Sequence, residues 1–352
     1  MIFLMWLACP KAPVLPLAVD WSEQPHLPSP TAGTYALAPS DPPDRAIASV
    51  VSGKHYDASL AGAAAGLALR ITAGEGNLTS PELRDAAFRA GWPYPVLAAQ
   101  AWNGAANQPP PPGVEAWVRD VPVTASVGLV RARGEQETQL WLGLVSDPRL
   151  DIGIVPRQLP TGGTLSLPAL PGTEIWVADP LGNLDHGTLD VPFTRTTDVE
   201  GEWLVEVRDA RGPIASFPVY VGMVPPNLAL LVPSQPPTNW QDADDLTVGL
   251  VEDLRNAYGM RMYGTDPLLD AALKASVDAP TFDTRAVALQ VGVEPGSLWR
   301  WECRSATIEG CLDQILWDVR ARPGLLVDHG VYARHVELNT KGVRILLMVA
   351  GL

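Results

Sequence analysis

Residues 334–350 read RHVELNTKGVRILLMVA and predict the element that organises the C-terminal third of the chain. Polar and apolar side chains alternate as far as Leu338, which is typical of a strand with one buried face. Asn339 to Gly342 supply a turn, and a largely apolar run follows from Val343 to Ala350. We therefore expect a hairpin whose second strand lies in the centre of a sheet.

Three predicted helices precede this hairpin. The first follows the acidic cluster Asp242 to Asp245 and ends before Gly259, with apolar residues spaced for one buried face. The second begins at Asp266-Pro267, an N-cap followed by a proline in the first turn. The third follows a Ser305 cap and has the strongest helical pattern of the chain, formed by Ile308, Leu312, Ile315, Leu316 and Val319. A connection containing Glu302 precedes this third helix.

This order of elements resembles the CAP (SCP-like) superfamily, which comprises cysteine-rich secretory, antigen and pathogenesis-related proteins. The resemblance implies an α-β-α sandwich, and it covers the last third of the chain. The stretches that carry it are Leu254-Arg255-Asn256, Asp266 to Ala272, Trp301-Glu302-Cys303, Ser305 to Trp317, and Arg322 to Asp328.

The family's cavity is only partly represented. It is built from two histidines and two acids, of which Glu302 alone carries over, and the stretch from Lys274 to Arg285 contains no histidine. The second histidine position falls near Ala333. One acid with a displaced histidine binds zinc weakly, so we expect a vestigial cavity without metal or cofactor. Glu302 is its catalytic candidate, and its binding candidates are Trp299, Trp301, His329 and His335.

Prolines mark the boundaries in the rest of the chain. The sequence has 35 prolines in 352 residues, concentrated at 10–43, 109–112 and 225–237. Such runs favour extended connections, and a chain of this length is expected to form several bodies that each bury a core. The predicted segments are a lipoprotein-like signal (1–9), a tether (10–43), a helical domain with terminal strands (44–157), a β-sandwich (158–223), a linker (224–238) and the CAP-like domain (239–352).

The two upstream bodies have different patterns. In the first, helices are predicted from Asp57 to Ile71 and from Ser80 to Gly91, and paired strands from Thr124 to Val130 and from Gln139 to Val145. The apolar helix is shorter than the roughly 20 residues of a membrane span. The second body alternates with a period of two and resembles immunoglobulin-like modules of bacterial surface proteins, most clearly from Gly201 to Val207. The predicted fold class is multidomain α+β.

The first nine residues bear on location. They are apolar and end in Leu7-Ala8-Cys9, which looks like the end of a bacterial lipoprotein signal peptide, where the cysteine is lipidated. This implies an exported protein held to the membrane of the bacterial cell envelope by a lipid anchor. The alternative is a cytosolic protein with an apolar tip.

Cysteine usage agrees with export. Lipidation of Cys9 would leave Cys303 and Cys311, which are close enough in sequence to form a disulfide in an oxidising compartment. The alternative is that Cys311, which extends the apolar face of its helix, is a small core residue.

Charge and motifs restrict the function. A net charge of −14 excludes a phosphate-binding surface of the usual kind, so no nucleic-acid partner is expected. The sequence contains no G-x-S-x-G, H-E-x-x-H or phosphate-loop motif.

Two hypotheses remain. One is a non-enzymatic envelope lipoprotein that binds an unknown small lipid, glycan or protein. The other is a metal-assisted, protease-like hydrolase with Glu302 as acid/base and His329 or His335 as ligand. A histidine directed at Glu302 across an open cleft would favour the hydrolase. A cleft filled by Trp299 or Trp301 would favour the binding protein.

Overall fold

The computed structural model describes residues 33–42, 44–72, 78–105, 108–133, 138–223, 237–277, 282–327, 329–340 and 342–351. Within these ranges the chain forms nine α-helices and sixteen strands, which confirms the mixed α+β class. The predicted signal, with Cys9, lies outside the described residues, as do most of the tether and of the linker.

The N-terminal part consists of a four-stranded sheet with helices packed on it. The strand order is β2-β4-β5-β3, and the short β1 pairs with β6. The elements are β1 (Thr34–Tyr35), α1 (Arg45–Val50), β2 (His55–Tyr56), α2 (Ala58–Thr72), α3 (Ser80–Arg89), β3 (Val96–Ala105), α4 (Pro112–Asp120), β4 (Ser126–Arg133), β5 (Thr138–Ser146) and β6 (Val155–Pro156). The predicted helices and the β4–β5 hairpin are confirmed, whereas β3 was not predicted.

Helix α2 lies unusually close to the sheet. The Asp57 carboxylate caps it by accepting hydrogen bonds from the backbone N–H groups of Ser59 at 2.8 Å and Leu60 at 3.1 Å. A Cβ atom at Gly128 of β4 would lie 2.4 Å from the carbonyl carbon of Leu60. Glycine at this position therefore sets the distance between helix and sheet.

The middle part is entirely β-structure. One sheet has the order β10-β9-β12-β13-β7, and β11 pairs with β8 in a second sheet. Its strands are β7 (Gln158–Leu159), β8 (Gly163–Leu167), β9 (Glu174–Ala178), β10 (Leu184–Thr188), β11 (Phe193–Thr197), β12 (Gly201–Asp209) and β13 (Gly212–Val221). The strands predicted from the period of two are present as β8, β9 and β12.

The C-terminal part contains an antiparallel sheet of order β14-β16-β15, so the predicted hairpin and its central second strand are confirmed. The elements are α5 (Trp240–Ala257), α6 (Pro267–Ser276), α7 (Thr284–Val291), β14 (Leu298–Ser305), α8 (Ile308–Leu316), α9 (Arg322–Leu325), β15 (Gly330–Asn339) and β16 (Gly342–Gly351). The connection expected around Glu302 is a strand. Helix α7 was not predicted, and the cap of α8 is Thr307 rather than Ser305.

Helices cover both faces of this sheet. On one face, Leu346 and Met348 of β16 pack with Leu269 and Leu273 of α6. On the other face, the alternating residues Ile345 and Leu347 join the core formed by α5 and α8, with members that include Leu250, Leu254 and Leu312. Because both faces of β16 are buried from Ile345 onward, its residues are apolar without interruption from Ile345 to Ala350.

The three parts share one main core, and the α6 side of the C-terminal sheet forms a second, smaller one. Tyr35 and Phe217 have ring centroids 4.8 Å apart, and so do Phe88 and Trp317. Arg84 of α3 forms an ion pair with the buried Asp313 of α8 at 3.1 Å. Proline content marks where the chain connects its parts, but it carries no information about how their apolar faces dock.

Gly128→Ala should destabilise the chain by roughly 1–3 kcal/mol, because the added methyl group overpacks α2 against β4. Gly187 of β10 is the matched control, since a Cβ atom there would meet nothing within 4 Å. Gly187→Ala should change stability by no more than about 0.5 kcal/mol. Thermal unfolding followed by circular dichroism measures both, and equal midpoints for the two variants would contradict the close approach.

Candidate functional site

Strand β14 determines where the predicted site residues lie. Its register on β16 pairs Trp299 with Val349 and Trp301 with Leu347, while Glu302 pairs with Leu346. Successive side chains of a strand point to opposite faces. The two tryptophans and Glu302 are therefore on opposite faces of the sheet.

The tryptophans pack against helix α9. A Cβ atom at Gly324 would lie 2.4 Å from the Trp301 ring and 2.5 Å from the Trp299 ring. The prediction that Trp299 and Trp301 line a cavity with Glu302 is therefore wrong. Trp301 and Glu302 are adjacent in sequence and were therefore expected to be neighbours in space. Successive side chains of a strand point to opposite faces, so the two side chains are separated.

Glu302 lies among arginines. One of its carboxylate oxygens accepts hydrogen bonds from Arg344 Nε at 2.8 Å and from Arg304 Nη2 at 3.0 Å. Arg300 Nη2 lies 4.0 Å from the other oxygen. The hydrogen bond from Arg344, with further contributions from Arg304, holds the pKa of Glu302 below its usual range. The carboxylate is ionised at neutral pH.

His335 lies on the same face as Glu302 but does not reach it. Both residues pair with Leu346, from opposite sides of the central strand. Two strand spacings place their Cα atoms about 10 Å apart. The His335 Nε2 atom lies 3.1 Å from Glu337 Oε1 instead.

Arg344 connects these groups. It bonds Glu302, lies 3.3 Å from both oxygens of Glu337, and donates to the Val277 carbonyl at 2.8 Å. The contacts from His335 and then Arg344 lower the pKa of Glu337. We call this set the Arg344 cluster; its members are Arg300, Glu302, Arg304, His335, Glu337 and Arg344.

His329 lies at the other end of the sheet. It is exposed and directly precedes Gly330, which pairs with Gly351. Six residues of extended chain separate it from His335, about 20 Å. Of the two candidate histidines, His335 therefore lies on the same face as Glu302, whereas the extended strand β15 places His329 at the other end of the sheet. In the described part of the chain, no three His, Cys, Asp or Glu side chains are grouped closely enough to hold a metal ion.

The chain matches no family model, no curated protein and no solved structure. Among the residues that the structure describes, no helix combines the length and apolar character needed to cross a membrane.

Cys303 and Cys311 form a disulfide between β14 and α8, with their Cα atoms 5.6 Å apart. Both residues are buried, so Cys311 is a core residue as well as a member of the disulfide. The bond fixes β14 to α8 on the face that carries the tryptophans.

Sequence reasoning missed a second polar group, buried where the middle and C-terminal parts meet. Arg322 of α9 donates to Glu202 of β12 and, at 3.1 Å, to the hydroxyl of Tyr258. Its guanidinium lies 5.0 Å from the centroid of the Trp317 ring. Burial raises the pKa of Glu202, and Arg322 opposes that shift. The only sign of this group in the sequence was Glu202, at the start of an apolar strand. The two-residue period of that strand predicted that the side chain of Glu202 faces solvent.

Arg344→Gln should destabilise the chain more at pH 7 than at pH 3. The lowered pKa values of Glu302 and Glu337 mean that their stabilisation is present above the ordinary carboxyl range and is lost as pH falls through the lowered values. The cost at pH 7 should be roughly 1 kcal/mol, since the cluster is partly solvated. Thermal midpoints at the two pH values measure it.

Arg304→Gln is the control for this comparison. Its side chain is 72% exposed and contacts Glu302 alone within the cluster, so a smaller effect is expected. The assignment fails if Arg344→Gln shows the same loss at both pH values, or if Arg304→Gln matches it at pH 7.

Proposed function

We propose that the chain is a non-enzymatic lipoprotein of the bacterial cell envelope. In this proposal a degenerate CAP-like domain and an immunoglobulin-like β-sandwich are held to the membrane through lipid on Cys9. The domain binds a small lipid, a glycan or an envelope protein, and not a nucleic acid.

The non-enzymatic part of the proposal is supported by the hydrogen bonds that Glu302 accepts from two arginines. A general acid must hold a proton at working pH, and the lowered pKa of Glu302 keeps it ionised. A general base must be basic enough to take a proton, whereas Arg344 and Arg304 donate to one oxygen of Glu302 and lower its pKa. The residue therefore serves as the centre of an ion-pair network.

A metal-assisted hydrolase has no observation in its favour. Such a site requires ligands that converge on one point, usually including two imidazoles. His335 is bonded to Glu337 and lies about two strand spacings from Glu302, while His329 is at the far end of β15. Among the described residues, no three His, Cys, Asp or Glu side chains are grouped closely enough to hold a metal ion.

The CAP-like interpretation is supported by the layers of the C-terminal part. Strands β14, β16 and β15 form an antiparallel sheet between α6 and α7 on one side and α5 and α8 on the other. The order of elements follows the one on which the resemblance rests, with the strand β14 in place of the expected connection and α7 in addition. The sandwich interpretation is supported by the five-stranded and two-stranded sheets of the middle part.

The envelope location depends on Leu7-Ala8-Cys9, and its test is metabolic labelling with a fatty acid. The full chain, expressed in a bacterium with a lipoprotein pathway, should incorporate label and sediment with membranes. Cys9→Ser should lose both properties. The matched control is the double variant Cys303→Ser with Cys311→Ser, which removes the other two cysteines and should keep the label. Equal labelling of all three proteins, or none in the unsubstituted chain, would refute the anchor.

A further inference from the structure

We propose that Glu202 is a proton-responsive latch between strand β12 and helix α9. With a proton on Glu202 the two elements dock more tightly, and without that proton they dock less tightly. The helix that the latch holds is the one that packs against Trp299 and Trp301.

Glu202 lies where β12, α5 and α9 meet. The side chains of Glu202 and Arg322 are each 4% exposed, and the ion pair between them joins β12 to α9. Tyr258, the C-cap residue of α5, lies beside both, and its hydroxyl accepts a hydrogen bond from Arg322 at 3.1 Å. A change in the charge of Glu202 therefore acts directly on the contact between the middle and C-terminal parts.

The two carboxylate oxygens of Glu202 have different surroundings. Oε1 accepts a hydrogen bond from Arg322. Oε2 is buried and has no hydrogen-bond partner in the part of the chain that the structure describes. An ionised oxygen in that position bears the cost of its lost hydration. A proton on Oε2 removes the charge without breaking the bond between Arg322 and Oε1.

Arg322 keeps other partners when Glu202 is neutral. Its Nη1 atom donates to the carbonyl of Leu316 at 3.2 Å, and its Nη2 atom donates to the hydroxyl of Tyr258. The guanidinium also lies 5.0 Å from the centroid of the Trp317 ring and 5.4 Å from that of Tyr258. Aromatic rings at these distances attract a buried cation. Protonation of Glu202 therefore does not leave the arginine unsupported.

The ionisable groups that surround Glu202 keep a constant charge between pH 5 and pH 8. They are Tyr35 of β1, Arg157 beside Tyr35, Tyr220 opposite Glu202 on β13, Tyr258 and Arg322. Burial raises the pKa of each of the three tyrosines, so they stay neutral. Arginine stays protonated throughout this range. A change of charge in this cluster therefore comes from Glu202.

The direction of the pH dependence follows from the pKa of Glu202. Burial raises this pKa more than Arg322 and Tyr258 lower it. A group whose pKa is raised in the folded state contributes stability at low pH, and that contribution is lost as pH rises through the folded value. Docking should therefore be tighter at pH 5 than at pH 8. An ion pair that lowered the pKa of its carboxyl group would give the opposite order.

Thermal unfolding of the full chain at pH 5 and pH 8 tests the proposal with Glu202→Gln. Glutamine keeps an oxygen for Arg322 and is neutral like the protonated acid. The midpoint of Glu202→Gln relative to the unsubstituted chain should rise by at least about 2 °C from pH 5 to pH 8. The matched control is Glu200→Gln, which removes the same charge two residues away at an exposed side chain. Its relative midpoint should not change.

The comparison with the unsubstituted chain isolates Glu202 from other buried acids. Burial also raises the pKa of Glu206 and Asp313, but both are present in every protein compared. Their titration therefore cancels in the relative midpoints.

Hydrogen–deuterium exchange provides a measurement that does not require Glu202→Gln to fold. In the unsubstituted chain, exchange of peptides that span α9, corrected for the intrinsic rate, should be slower at pH 5 than at pH 8. Three results would overturn the proposal: a relative midpoint of Glu202→Gln that is constant or falls as pH rises, an equal rise for Glu200→Gln, or exchange in α9 that is no slower at pH 5.

Discussion

The two-residue period of β14, set against the central strand β16, is the constraint from which the site follows. Because β14 is antiparallel to β16 along its whole length, Trp299, Trp301 and Cys303 occupy one face, and Arg300, Glu302 and Arg304 the other. On the first face, Cys303 forms the disulfide to α8, and the two tryptophan rings pack closely against Gly324. The second face meets Arg344 and becomes an ion-pair network. A shift of one residue would exchange the two sets.

The sequence predicted the elements whose signals are local. Asp266-Pro267 begins α6, Ser80-Pro81 begins α3, and the apolar run that begins at Val343 is the central strand. Helix α7 was missed although Asp283 caps it and Gly292 ends it with φ of +83°, because it is only eight residues long. Strand β3 was missed because alanines favour helices, and its pairing with β5 decides its conformation instead.

The site was predicted less well because it depends on contacts between distant residues. The sequence from Trp299 to Arg304 alternates apolar and polar residues, so the separation of Trp301 from Glu302 was available from the pattern once that segment was interpreted as a strand. The contact of Glu302 with Arg344 spans 42 positions and depends on register. The buried pair of Arg322 and Glu202 spans 120 positions and joins two parts that the prolines suggested were separate. A buried ion pair is costly to desolvate, so its burial alone does not show that it adds stability.

The interpretation of the site rests on Glu302 as an ionised member of an arginine network. The most direct test is a pH titration of the side-chain carboxyl carbon of Glu302 by NMR. The protein is labelled with carbon-13 at its glutamate residues, and the Glu302→Gln variant assigns the signal. We predict a pKa for Glu302 below the ordinary glutamate range, and no change in its signal when zinc is added. A pKa at or above that range, or a zinc-dependent shift of the Glu302 signal, would contradict the account.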